Sequence, residues 1–323
     1  MRTRRQIAAF IPAAILLVGL ALSPPHSASA QGAPSRLKDI PYSPTLRPST
    51  APTETYFEFP FQKLKEAVPE LKGLKYDDNQ QQLTSILAGV ARNIASVLPR
   101  LPNLVSKEDI TGFQAPRDPS AQSRLEAAQP WSREFRYLIL SHRNADGSTM
   151  IEELRTDSKG RAADAAGQFS SPHGFGFAYQ WLFFTSTNQP EFRFRYLGQQ
   201  EKGGRKTFVV AFAQVPAKVT EPALFQNDGK TSPFYYQGIL WVEQSTFDIV
   251  MLRSDLLDAL LDLHLTRLTT QLSFSQVRIH GLDDAFWLPN EVSISSDQGR
   301  GPMEESHRYS DYHVYHSTSR IVP

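Results

Sequence analysis

Apolar and polar positions change their period along this 323-residue chain. Leu83, Ile86, Leu87, Val90, Ile94, Val97 and Leu98 recur at three- and four-residue steps, which puts them on one stripe of a helix. Asp77 and Asp78 are placed to cap its start, and Pro99 to end it. Upstream, PFQKLKEAVPELKGL reads as a short helix interrupted by Pro69. A single-sided stripe means that the helix lies on something, most simply a sheet.

Beyond Leu101 the period falls to two. Nine segments read as strands: FRYLILSH (135–142), STMIEELRTD (148–157), EFRFRYLG (191–198), KTFVVAFAQV (206–215), then QGILWVE, FDIVMLRSD, LSFSQVRIHG, FWLPNEVSISS and HRYSDYHVYHS. Turn-forming runs such as Asn144–Gly147 and Lys202–Arg205 separate neighbours, and strands joined by short turns pair antiparallel. A second apolar helix, with Phe175, Ala178, Tyr179, Leu182 and Phe183 on one face, interrupts them. The expected fold class is α+β: one large curved antiparallel sheet with covering helices, preceded by a helical N-terminal section. The alternation predicts one wet face and one packed face.

The N-terminus carries a different pattern. MRTRR, the apolar run Ile7–Leu22 and Ala28-Ser29-Ala30 have the form of a signal peptide over residues 1–30. The apolar run is shorter than the roughly 20 residues of a membrane span, so no stable span is expected after cleavage. Residues 31–55 hold prolines at 34, 41, 44, 48 and 52 and read as a disordered linker. Residues 56–323 are expected to form a single domain, helical over 56–100 and mainly stranded over 101–323. The expected location is outside the cytoplasm, periplasmic or extracellular.

Composition narrows the chemistry. The chain has no cysteine, which removes disulfides, thiolate zinc sites and a lipid anchor on an N-terminal cysteine. An exported domain without disulfides must be held by its core. Net charge is +1 with the two signs interspersed, which gives no footprint for nucleic acid.

The motif search yields no catalytic residues, no cofactor site and no metal site. There is no Gly-x-Ser-x-Gly elbow. His307, Tyr309, Asp311, His313 and Tyr315 fall on one face of a strand, with His307 and His313 about 20 Å apart, too far to share a zinc. They read as amphipathic strand residues with wet tips. Asp255, Asp258 and Asp262 would share a face if SDLLDALLDL were helical, but the spacing lacks the glycine of a calcium loop and reads as a solvated acidic face. Glu152-Glu153, Asp283-Asp284 and Glu304-Glu305 are adjacent, so in a strand their members face opposite ways. His173-Gly174-Phe175-Gly176 lacks the lysine of a phosphate loop.

Aromatic residues make up 11% of the chain and many sit in strands, which allows an apolar space between sheet and helices. Its candidate walls are Trp181, Phe194, Trp241 and Trp287.

Two resemblances add to this. PELKGLKYDDNQQQLTSIL, FRYLGQQEKGGRKTFVVAFAQVP, WVEQSTFDIVMLRSDLL and HRYSDYHVY are similar to segments of an uncharacterised family of exported bacterial proteins, over most of residues 56–322. It implies no activity. The pattern Gly238-x-x-Trp241-Val242-Glu243-x-x-Thr246-x-x-Ile249-Val250 with Arg253, together with Phe286-Trp287-Leu288-Pro289, resembles outer-membrane lipoprotein-carrier-like proteins. That resemblance implies a half-barrel sheet with helices over its mouth and a site for hydrophobic cargo. The long helical section and the proline linker depart from the carrier pattern.

The expected function is that of an exported, non-enzymatic binding protein of the cell envelope, holding a lipid-like or other apolar ligand between sheet and helices. The alternative is an envelope interaction or scaffold module with a protein partner. A hydrolase acting on envelope material is a third reading, without motif support. A continuous interior cavity would favour the first, and a filled interior with an exposed apolar patch the second.

Overall fold

The computed structural model describes residues 54–114, 130–143, 149–161, 180–220, 222–227, 229–299 and 301–315. The expected signal peptide, nearly all of the linker, the Asn144–Gly147 turn, His173, His316 and the Phe175–Tyr179 part of the second helix lie outside them. The described residues belong to one compact unit.

The helical section divides in two. Helix α1 (Phe61–Ala67) is followed by a 3-10 turn at Pro69–Leu71, and the two-residue strand β1 (Lys75–Tyr76) leads to α2 (Leu83–Val97). Pro69 breaks the first helix because it has no N–H to give and its ring crowds the preceding turn. A 3-10 turn at Gln80–Gln82 precedes α2, and its cap is Asn79, whose side chain accepts from the Gln81 N–H, rather than Asp77 or Asp78. Asp77 Oδ1 accepts from the Asn79 N–H one step earlier.

Strands follow: β2 (Leu104–Gln114), β3 (Trp131–Arg143), β4 (Thr149–Thr156), β5 (Phe192–Lys202), β6 (Arg205–Gln214), β7 (Ala223–Asn227), β8 (Lys230–Phe234), β9 (Tyr236–Glu243), β10 (Ile249–Leu256), β11 (Arg267–Arg278), β12 (Ala285–Asp297) and β13 (Pro302–Val314). Eleven form one antiparallel sheet in the order β1-β5-β6-β9-β10-β11-β12-β13-β2-β3-β4, and β7 and β8 pair apart from it. The sheet is curved and unclosed, half-barrel-like, with β1 and β4 at its edges. Accumulated right-handed twist and bulges in several ladders bend it.

Most of this order is a meander, but the join between β13 and β2 is not. The last strand pairs with the first long one, from Met303–Gln114 to Val314–Leu104. The chain must then return from β4 at one edge to β5 near the other.

The expected single packed face holds only for part of the sheet. Strand β2 alternates buried and half-buried residues, and so does β11, whereas every residue of β9 is buried. The reason is that the helices take opposite faces. Ile86, Val90, Ile94 and Val97 of α2 pack with Val210, Phe212, Leu240 and Val242 on what we term the inner face. Tyr56, Leu64, Val68 and Leu71 pack with Leu197, Val209, Ile239 and Trp241 on the outer face.

Polar groups fix the outer cover. Gln200 Nε2 donates to the carbonyls of Glu70 and Lys72 at 2.9 and 2.8 Å, and Arg195 Nη1 to that of Phe59 at 2.6 Å. The Tyr56 N–H donates to Gln237 Oε1 at 2.8 Å. Arg253 grips Glu70 at 2.7 and 2.9 Å and Asp255 at 2.8 and 3.0 Å.

Asp255 is therefore a buried ion-pair member in β10, not part of a solvated helical face. The run SDLLDALLDL continues the strand to Leu256, and its only helical turn among the described residues is the 3-10 turn Leu261–Leu263.

Gly238 marks how closely this centre is packed. A Cβ there would stand 1.9 Å from the Arg253 carbonyl oxygen and 2.6 Å from the Phe212 ring. The carbonyl belongs to the ladder and cannot give way. Gly238→Ala is expected to lower stability by about 2–3 kcal/mol, read as a fall in the denaturant midpoint. An unchanged midpoint would contradict this packing.

Candidate functional site

The inner face over β5, β6, β9 and β10 is aromatic because period-two spacing sends Phe192, Phe194 and Tyr196 to one side. Residues 180–191 lie against it. The 3-10 turn Leu182–Phe184 drops Phe183 to 5.3 Å from Phe192 and 5.4 Å from Tyr236, and sets Phe184 edge-on to Phe212 at 5.3 Å. Hydrogen bonds hold this segment: Thr185 Oγ1 and Asn188 Nδ2 donate to the Leu182 carbonyl at 3.0 Å, and the Val215 N–H donates to that of Glu191 at 2.8 Å. Ser254 Oγ donates to Gln180 Oε1 at 2.9 Å, and Gln189 Nε2 donates to the Leu87 and Phe184 carbonyls at 3.0 and 2.9 Å. Between α2 and the sheet, the protein's own side chains fill the interior: Ile86, Val90 and Ile94 are at most 1% exposed.

The four predicted wall residues are not brought together. Trp181 lies in the inner core, and Phe194 and Trp287 are part-buried against it. Trp287 is half-buried near the end of β12, where its Nε1 donates to the Ile249 carbonyl at 2.7 Å and the Arg205 guanidinium lies 4.3 Å from its ring. It braces strand ends. Trp241 faces the other way. It is fully buried on the outer face, and its Nε1 donates to Gln200 Oε1 at 2.7 Å. One residue of register separates Trp241 from Leu240 and Val242, and that residue sends it through to the opposite side of the sheet.

The most concentrated polar chemistry is one that the motif search missed. Glu108 of β2, Arg155 of β4, and Glu305, His307 and Tyr309 of β13 are all buried. Arg155 grips Glu108 with Nε at 2.6 Å and Nη2 at 3.0 Å. His307 Nδ1 lies 2.9 Å from Glu108 Oε1, and its Nε2 lies 3.4 Å from Glu305 Oε2. The Tyr309 hydroxyl donates to Glu108 Oε1 at 2.8 Å. The Arg155 guanidinium also lies 5.3 Å from the Tyr137 ring, whose hydroxyl donates to Glu153 Oε1 at 2.6 Å. His307 is thus no wet-tipped residue.

Nor does β13 keep its period. Asp311 has φ of 54° and the register shifts between Ser310 and His313, so Tyr309 and Tyr312 are both buried while Asp311 is exposed. The signal for Glu108 was present in LVSKEDITGFQ, where it falls in phase with Leu104 and Ile110.

Burial by itself would raise the Glu108 carboxyl, but Arg155 and His307 hold it well below the ordinary carboxylate range. Burial opposes the His307 imidazolium, but hydrogen bonds to Glu108 and Glu305 outweigh it and hold His307 above its ordinary value, against a lowering by Arg155. Tyr309 is pushed well up, first by burial and then by Glu108, and stays a neutral donor. With His307 protonated, two carboxylates meet two cations.

Among the described residues, an open groove lies on the outer face. It has a volume of about 560 Å³ and runs between the N-terminal cover and β10–β13, with Glu70, Arg253 and Asp255 along one wall. Thr269, Gln271 and Ser295 also line it.

No protein-family model and no curated protein matches the chain. Among solved structures it is similar to a domain described as an outer membrane lipoprotein-sorting protein from Vibrio parahaemolyticus, at 13% identity and a TM-score of 0.38, over 70% of this chain and 90% of that one. It is similar to a DUF1329 family protein from Desulfovibrio piger at 12% and 0.38, over 73% and 94%. A chain of the MucA/MucB complex of Pseudomonas aeruginosa matches at 11% and 0.19, over 72% and 93%. At these values the likenesses carry no argument about what this chain does.

The charge arrangement sets the sign of a pH dependence. The folded pKa of His307 exceeds its unfolded value near 6.5, so its contribution to stability is full below that value and is lost as pH rises through the folded pKa. His307→Gln is therefore expected to cost most at about pH 5 and progressively less toward pH 9, measured as the difference in denaturant midpoint from the unaltered protein. A cost independent of pH would mean that the imidazolium is not the form that binds Glu108.

Proposed function

We propose that this chain is an exported, non-enzymatic binding protein of the cell envelope that holds a lipid-like chain against the inner face of its sheet. Export, with removal of residues 1–30, rests on the pattern of the N-terminus. Residues 56–323 would act as the single folded domain, with Phe194 and Trp287 as walls and Trp181 as part of the cover that the ligand displaces. The observation that carries the reading is the aromatic floor of Phe192, Phe194 and Phe212, against which the 3-10 turn Leu182–Phe184 packs beside α2.

Because that interior is filled, the ligand must displace Trp181, Phe183 and Phe184 and take their place. Moving three aromatic side chains into water costs about 5–9 kcal/mol. A sixteen-carbon chain returns about 12 kcal/mol at roughly 0.8 kcal/mol per methylene, and an eight-carbon chain about 6. The longer chain outweighs the displacement across that whole range, whereas the shorter one falls inside it.

The filled interior is also the observation that favours the second reading, an envelope interaction module with a protein partner. Native mass spectrometry of the protein purified from a bacterial envelope, before and after adding fatty acids of eight to sixteen carbons, separates the two. Equal-stoichiometry adducts that appear only with the longer chains are expected. A clean mass with no uptake at any length would remove the lipid reading and leave the interaction module.

A further inference from the structure

We propose that the outer-face groove is a separate binding site for a neutral polyhydroxyl ligand, an oligosaccharide of the envelope. Its volume of about 560 Å³ lies within the usual range for small-molecule sites, roughly 300–1,000 Å³. Such sites are ordinarily lined by apolar side chains around a few polar ones. This lining reverses the proportion. Thr269, Gln271, Ser293 and Ser295 stand on the outer face of β11 and β12, with Arg267 at one end and Glu304 beside them.

Other ligand classes fit less well. A peptide that adds as a strand needs a free edge, but β10, β11, β12 and β13 are each paired on both sides. An acyl chain would leave the hydroxyls and amide unpaired against it. An anion meets Glu70, Asp255 and Glu304 against two guanidiniums, and Arg253 is already spent on Glu70 and Asp255.

Sugar hydroxyls donate and accept at once, and they can pair with carboxylates, guanidiniums, amides and hydroxyls alike. The groove offers all four. Some of these groups are also unengaged: among the described residues, the side chains of Gln271, Ser293 and Arg267 have no hydrogen-bond partner in the protein, while Arg253 and Asp255 are fixed by their mutual ion pair.

Calorimetric titration of the full-length purified protein with maltotriose, cellotriose and triacetylchitotriose, each up to about 10 mM, tests this. At least one should bind with a dissociation constant below about 1 mM. Gln271→Ala and Arg267→Ala should each weaken it by about fivefold or more, because each removes one polar contact. Their melting temperatures should not move, since these side chains support nothing else. Absence of binding across the panel, or binding that both variants leave unchanged, would overturn the proposal. Fatty-acid uptake should be unaffected in both variants, because the inner face lies on the other side of the sheet. Failure of the lipid reading therefore leaves this result interpretable.

Discussion

Strand β9 has no wet face, and this constraint organises the rest of the chain. Its eight residues are buried on both sides, so two layers of cover must be supplied. The inner layer comes from α2 and residues 180–184, the outer one from residues 56–71. A covering segment on each face brings backbone carbonyls close to sheet side chains, and those carbonyls need donors. Gln200, Arg195 and Arg253 provide them, each standing on a strand of the sheet. Removal of Arg253 would leave Glu70 and Asp255 facing each other part-buried and unpaired, an arrangement more costly than the pair itself is stabilising.

Beyond β6, β9 and β10 burial alternates along β11 and β2, and the chemistry changes there. The inner side of β13, β2 and β4 adds a buried charge network to its packed tyrosine rings. Glu108 takes bonds from Arg155, His307 and Tyr309 and so draws three strands toward one carboxylate. The join between β13 and β2 brings together the first long strand and the last, and a directional ion-pair network makes that pairing specific where apolar contacts would tolerate a slip of register.

Much of this was legible in the chain. The stripe from Leu83 to Leu98 marked α2, and the turn Lys202–Arg205 marked the hairpin of β5 and β6. The alternation of Phe192, Phe194 and Tyr196 marked the aromatic floor. Strand β2 escaped because charged residues hide its alternation, and β1, β7 and β8 escaped because two to five residues carry too little pattern. The candidate site was legible only in pieces. Trp181, Phe194 and Trp287 lie at the inner core and Trp241 on the outer face, because composition marks a residue as apolar without saying which side of a two-faced sheet it takes.

The sequence by itself determined the antiparallel class, the helix that must lie on a sheet, and the absence of thiol chemistry. These follow from local spacing and residue type, which act over a few positions. Only the tertiary structure decided that the two parts of the helical section take opposite faces, that β2 pairs with β13, and that Glu108 meets Arg155 and His307. Those contacts join residues 47 and 199 positions apart. Long-range pairings are selected by the burial and charge balance of the whole fold, and no window of neighbouring residues contains that information.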